Sequence, residues 1–255
     1  MGDTDLVCRV PSLGADPGSA FSDHPAHQPS NPEPSAISHQ PFRLFVFDLD
    51  GTLVDSLRDI ADAANALIVS CGASPIPQDE IGAMVGDGAA QLIARAFKVS
   101  GIERPPDALE RYLACYDAVL LNHTRPYDGI PEVLEALGRR AALAVLTNKP
   151  IASTRRILDG LDLARYFPAD AVLGGDGPLP RKPDPAALLQ LAARAHAAPA
   201  STLMVGDSVI DWRTARAAGT RVCLARYGFG FGSVPLHELA PEDDVIAAPA
   251  ELLSL

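Results

Sequence analysis

From residue 42 onward the chain alternates short, almost wholly apolar runs with segments whose apolar positions recur every three to four residues. The first class comprises RLFVFD ending at Asp48, ALAVLTN at 142–148, DAVLGG at 170–175, STLMVGD at 201–207 and RVCLA at 221–225. Short apolar runs bounded by Gly, Asp and Pro fit strands buried on both faces, and the intervening periodic segments, such as 185–197 and 209–218, fit helices. The alternation predicts an α/β fold, a Rossmann-like parallel sheet core with helices on both faces and right-handed crossovers. One gap breaks the rule. Between the first strand and ALAVLTN only helical patterns occur, LRDIADAANALIVSCG, GAAQLIARAF and DALERYLACYDAVLL. Residues 57–128 are therefore expected to form an inserted all-helical module, with 42–56 and 129–255 as the core domain.

Residues 1–41 follow neither pattern. They carry seven prolines, five acids and a single Arg with no aliphatic periodicity, and a disordered Pro-rich tail is expected. The segment lacks the basic start and apolar centre of a secretory signal, its acids argue against a mitochondrial transit peptide, and Leu6 stands where myristoylation needs Ser or Thr. His24, His27 and His39 are read as solvated polar residues.

Composition narrows the partners. Of 255 residues 47% are hydrophobic and 21% charged, with a formal net charge of -11 and a pI of about 4.9. Such a field repels nucleic acid and anionic lipid, so any anionic substrate must be held by local cations. Cys8, Cys71, Cys115 and Cys223 are too dispersed for a disulfide framework or a zinc site and read as reduced thiols of a cytoplasmic protein. No apolar run approaches the roughly 18 residues of a membrane span. A monomer and a homodimer both remain open.

In open parallel sheets, ligands bind beyond the carboxyl ends of the strands. Polar residues collect there. Asp48 and Asp50 follow the first strand, Thr147 and Asn148 close the second, and Asp207 closes STLMVG. Lys182, before Pro183, is biased towards extended backbone on a loop that should aim it outward. Asp184 can cap the following helix, with Pro185 at its first position.

The segments DLDGT, LTN, RKPDP and VGDSVID, in this order, resemble the four motifs of the haloacid dehalogenase superfamily. VGDGAA at 85–90, LTNKP, GGD and YGFG extend the resemblance to the phosphoglycolate phosphatase family. It implies an Mg²⁺-dependent phosphatase of a small phosphorylated metabolite, with residues 57–128 as a helical cap over the site. Asp48 would be the nucleophile forming an aspartyl phosphate, and Asp50 the acid for the leaving alkoxide and the base for water. A proton shared between neighbouring carboxylates would suit Asp50 to acid work unless a cation offsets the repulsion. Asp48, Asp207 and the Asp50 carbonyl would be hard oxygen ligands for Mg²⁺. Thr147, Asn148 and Lys182 would bind the phosphate, Asp211 would support the metal site, Gly51 and Gly206 would permit close backbone approach, and Gly86 and Gly88 would face the substrate.

Taken singly, these residues have plainer readings. A lone Asp after a strand is a turn former or cap, Asp211 is equally a charge at a helix start, and Asp87 could simply cap a helix. RYGFGFG at 226–232 reads as a glycine turn with a lesser chance of lining the entrance, and Leu92 and Ile93 read as core. Asp50 argues against a dehalogenase or a phosphonate hydrolase, whereas a sugar-phosphate mutase also needs this residue. A receiver domain would place its phosphoacceptor later in the chain, and a catalytically silent phosphate-binding protein would not need every motif acid. Phosphoglycolate, sugar phosphates, amino-sugar phosphates and pyrophosphate all remain possible substrates.

Overall fold

A computed structural model describes Gly2 and residues 41–255; the expectations for the tail, its three histidines and Cys8 lie outside the described residues. Eight strands are described: β1 (Leu44–Phe47), β2 (Val54–Asp55), β3 (Arg125–Pro126), β4 (Ala142–Leu146), β5 (Val172–Leu173), β6 (Thr202–Gly206), β7 (Arg221–Ala225) and β8 (Asp244–Ile246). The α-helices are α1 (Leu57–Ser70), α2 (Gln78–Gly82), α3 (Ala89–Ser100), α4 (Ala108–Val119), α5 (Ile130–Gly138), α6 (Ile151–Gly160), α7 (Ala186–Arg194) and α8 (Val209–Ala218).

Six strands form one sheet in the order β5-β4-β1-β6-β7-β8, every pairing parallel. β1 is central, and the chain turns one way from it to β4 and the other way to β6, so its carboxyl end is the point where the winding reverses. Alternation along β1 divides the core. Leu44 and Val46 join Leu188 and Leu191 of α7 and Ala215 of α8 on one face. Phe45 and Phe47 join Val133 and Leu137 of α5 and Ile157 of α6 on the other.

The expected insert consists of α1–α4, and the chain enters and leaves it through a two-stranded antiparallel ribbon, β2 with β3. α1 buries Ile60, Ala61, Ala64, Leu67 and Ile68, an i, i+4, i+7 stripe. These residues belong to the same apolar cluster as Phe45 and Phe47, so the insert and one face of the sheet share a continuous core. Asp59, fully buried at the start of α1, accepts the N–H groups of His123 and Thr124 and the Thr124 hydroxyl. A carboxylate so supplied with donors ties the returning chain to the first helix.

Several boundaries differ from expectation. DAVLGG contributes only Val172 and Leu173 to the sheet, because a 3-10 turn occupies Ala169–Ala171 and the glycines curve away. Asp184 accepts the Ala186 N–H as a cap should, but Pro185 sits at the cap position and α7 begins one residue later. Asp87 caps nothing; it pairs with Arg95, and Gly88 is the residue before α3. β8, in a short acidic stretch, has no counterpart among the expected strands.

Candidate active site

Asp48 continues the β1 ladder one residue past the strand, its N–H donating to Val205 O at 2.8 Å, which fixes its side chain beyond the strand ends. A tight turn follows, in which the Thr52, Leu53 and Val54 N–H groups all donate to Leu49 O. Gly51 turns the chain at φ +81°, and a Cβ there would lie 1.9 Å from Asp207 Oδ2. A Cβ on Gly206 would lie 2.2 Å from Asp211 Cγ. Both glycines therefore let acids approach the backbone, as their place in the motifs implied.

Asp48, Asp207 and Asp211 are all buried, and one carboxylate oxygen from each lies within 4.8 Å of the others. Lys182 stands among them, Nζ at 2.9 Å from Asp48 Oδ1 and 2.6 Å from Asp211 Oδ1. This corrects the expected outward aim of the lysine, which is only 4% exposed. Three buried carboxylates attract the Lys182 ammonium, and the electrostatic gain outweighs the solvation that an outward pose would keep.

The same crowding moves the proton affinities. Burial pushes the Asp48 carboxyl up to about 6, with Lys182 opposing and Asp211 assisting. Asp207 is raised by burial, then by Asp211 and Asp48, while the Gly230 N–H at 2.8 Å pulls it back. Burial disfavours the Lys182 charge, but Asp211 and Asp48 outweigh it and hold the ammonium above the usual lysine range.

Asp50 is arranged differently. Its carboxylate takes two bonds from Lys149 Nζ, 2.8 Å to each oxygen, and one from Ser56 Oγ at 2.5 Å. The Lys149 ammonium is thus a cation beside the neighbouring acids. Lys149 was quoted in LTNKP without a role. Its side chain is 6% exposed, and its ammonium also lies 4.6 Å from the centroid of the Tyr116 ring of α4. Tyr112 stacks on Tyr116, and the Tyr116 hydroxyl is buried with no partner among the described residues. A burial-driven rise keeps both phenols protonated.

Thr147 and Asn148 stand where the sequence put them, at the end of β4, both buried. Asn148 departs from a phosphate-binding role for its amide. Its Nδ2 donates to Gly86 O of the insert and to Lys182 O of the core, each at 2.9 Å, while Oδ1 has no partner among the described residues. The side chain thus straps the insert to the motif loop. Asp211 meets the helix-start reading: Oδ2 accepts the Ser208 N–H and hydroxyl in a capping box on α8, while Oδ1 takes Lys182.

These groups surround a cavity of about 60 Å³, lined by Asp48, Asp50, Thr147 and Asp207 from the core and roofed by Gly86, Gly88, Tyr112 and Tyr116. The 226–232 loop reaches it through Phe229 and Gly230. Leu92 and Ile93 are buried in the core as expected, with Leu92 also touching the cavity. Lys149, Tyr112, Tyr116 and the Gly230 N–H are the functional groups that motif reading missed. Only Lys149 carried a usable signal, a cation two residues beyond Thr147.

The acid trio suits a divalent cation: buried hard oxygens of formal charge -3 against the single Lys182.

A profile of the haloacid dehalogenase-like hydrolases matches residues 45–225. The chain is 41% identical over 209 residues to a phosphoglycolate phosphatase of Rhodospirillum rubrum, covering 78% of this chain and 86% of that protein. It is 39% identical over 204 residues to a phosphoglycolate phosphatase of Agrobacterium fabrum, with coverages of 78% and 86%. Among solved structures it is similar to that of a predicted phosphoglycolate phosphatase from Haemophilus somnus, with a TM-score of 0.76 and 31% identity over 84% of this chain and 97% of that one.

Proposed function

The chain belongs to the haloacid dehalogenase-like hydrolases, and we propose that this phosphatase cleaves a small carboxylated phosphate ester of the phosphoglycolate type through an aspartyl phosphate on Asp48. The observation that carries the reading is the grouping of Asp48, Asp207, Asp211 and Lys182 at the reversal point of the sheet, beside Thr147 and Asp50.

Leu49 N–H and Lys182 both hold Asp48 Oδ1, which leaves Oδ2 as the attacking oxygen. Lys182 and the Thr147 hydroxyl meet the phosphoryl oxygens, and Lys182 also keeps Asp48 ionised at neutral pH. Asp48, Asp207 and the Asp50 backbone carbonyl would hold Mg²⁺, with Asp211 in support; Mg²⁺ supplies charge cancellation for the phosphoryl group. Asp50, held by Ser56 and Lys149, passes a proton to the leaving alkoxide and later takes one from the attacking water.

Lys149 supports the carboxylated class. Among the described residues Lys149 is the one cation that lines the cavity. A substrate carboxylate drawing the Lys149 ammonium away would free Asp50 for proton transfer, and the unpartnered Tyr116 hydroxyl offers that carboxylate a donor. The roof residues come from 57–128, so the cap would set substrate choice while the core does the chemistry. A cavity of about 60 Å³ suits a small ester rather than a drug-sized ligand.

The test is a kcat/KM ranking of phosphoglycolate against ethyl phosphate, sugar phosphates and pyrophosphate, with and without Mg²⁺. Preference for phosphoglycolate that needs Mg²⁺ and is lost in Asp48→Asn supports the reading. A sugar phosphate at the head of the ranking overturns the substrate class.

A further inference from the structure

A second and larger cavity, about 240 Å³, lies on the β5 side of the sheet. Its floor is the ends of β4 and β5, and its walls are α6, the 177–182 loop and α7. Among the described residues four cations line it, Arg155, Arg181, Lys182 and Arg194, and no carboxylate does. In a chain of formal net charge -11 that is a marked local reversal of sign.

The charges are held without being neutralised. Arg181 Nε donates to Gly175 O at 2.5 Å, and Arg194 Nη1 donates to Asp170 O, both carbonyls rather than carboxylates. Arg155 has no hydrogen bond or ion pair among the described residues, whereas its neighbour Arg156 is paired with Asp117 at 2.7 Å. Only Lys182 is charge-matched, by Asp48 and Asp211. Three arginines thus line one concave space with N–H groups to spare. Planar forks of this kind bind phosphate or carboxylate oxygens in pairs. Gln190 of α7 adds a neutral donor and acceptor to the same wall.

We propose that this cavity is a binding site for a small polyanion carrying at least two phosphate or carboxylate groups, distinct from the catalytic cavity and connected to it. The connection is physical. Thr147 and Asn148 line both cavities, and Asn148 carries the strap to Gly86 in the roof. Arg181, which faces the polyanion, is also close to the cap, its Nη1 lying 3.1 Å from where a Cβ on Gly88 would be. An anion that draws Arg181 towards itself therefore acts on the same joint that links the motif loop to the roof. The occupant is small, because 240 Å³ falls just under the ~300 Å³ lower bound of drug-sized pockets.

Calorimetric titration of the full-length protein in chelator, with pyrophosphate in one arm and citrate in the other, tests the site and separates phosphate from carboxylate chemistry. Saturable binding of either probe is expected, weakened about tenfold or more in the Arg155→Ala, Arg194→Ala double variant, a loss of one good charge-assisted contact. Equal binding by wild type and double variant would place the anion elsewhere and overturn the proposal, as would no saturable heat up to millimolar probe. The coupling is read at fixed free Mg²⁺ as a change in KM for nitrophenyl phosphate when the probe saturates. The change should appear in the wild type and vanish in the double variant, whose unprobed turnover should match wild type. An unchanged wild-type KM overturns the connection between the two cavities.

Discussion

Lys149 Nζ stands 2.8 Å from both carboxylate oxygens of Asp50, over the face of the Tyr116 ring. One ammonium therefore touches both the group expected to move protons and the roof expected to read the substrate. Substituting Lys149→Met should lower kcat/KM for phosphoglycolate by about 10- to 1000-fold, the range spanned by losing one charge-assisted contact in a buried site. Ethyl phosphate, which has no carboxylate, should suffer much less. An equal fall for both esters would reduce Lys149 to a prop for Asp50.

The paired aspartates should fail in different ways. Asp48→Asn should give no covalent intermediate, because an amide is a poor nucleophile. With nitrophenyl phosphate, whose leaving group needs no proton, Asp50→Asn should complete the first step and stall before hydrolysis, since general acid-base help is typically worth about 10² to 10⁴ in rate. Rapid quench and mass spectrometry should find a phosphoryl group on Asp48 in the Asp50→Asn protein. Label on any other residue would reassign the nucleophile.

Asn148→Ala removes the strap between Gly86 and the Lys182 loop. The expected result is a raised KM with a smaller change in kcat, and faster amide exchange in residues 85–90 by mass spectrometry. A drop in kcat alone, with exchange unchanged, would instead favour a direct phosphate contact.

Stability without metal should depend on pH in a defined direction. Asp48 has its proton affinity raised to about 6 in the folded protein against 3.8 unperturbed, and Asp207 moves the same way. The folded state therefore holds more protons than the unfolded one across this window, and stability falls as pH rises from about 4 towards neutrality. Mg²⁺ should raise Tm most at the upper end, where its carboxylate ligands are free of protons. A Tm that rises with pH in chelator, or an Mg²⁺ effect larger at pH 5 than at pH 8, would count against the assigned acid site.

Much of this architecture was legible in the chain because a doubly covered parallel sheet writes itself as apolar runs ending in polar residues. β7 and α8 match their expected spans residue for residue. Acids and Thr147 at strand ends could be read because position along a strand determines position in space. What could not be read was where long side chains point. Lys182 turns inward and Lys149 reaches Asp50, 99 positions away in sequence. Tyr112 and Tyr116 look like core on a helix, and both are buried; their part in the roof depends on how α4 lies over the sheet. Asn148 offered two donors to any phosphate in range, and the fold spends both on carbonyls. β8 was hidden for another reason: three residues at a sheet edge, one of them acidic, carry too little pattern to register.

The brevity of the outer strands has a consequence for association. A parallel sheet exposes unpaired N–H and C=O groups along each lateral margin, and a long margin is a template on which another chain can add. Here one margin is β5, two residues long, and the other is β8, three residues long with Asp244 paired to Arg221 of β7. Neither offers enough ladder to hold a foreign strand, although the four inner strands between them carry the apolar runs that would aggregate if laid bare. Lengthening β5, for instance by replacing Gly174 and Gly175 with valines, would remove that protection while forcing side chains into the backbone at Ile151 and Asn148. The glycines that follow this margin thus keep it short as well as leaving room for the backbone of its motif loop.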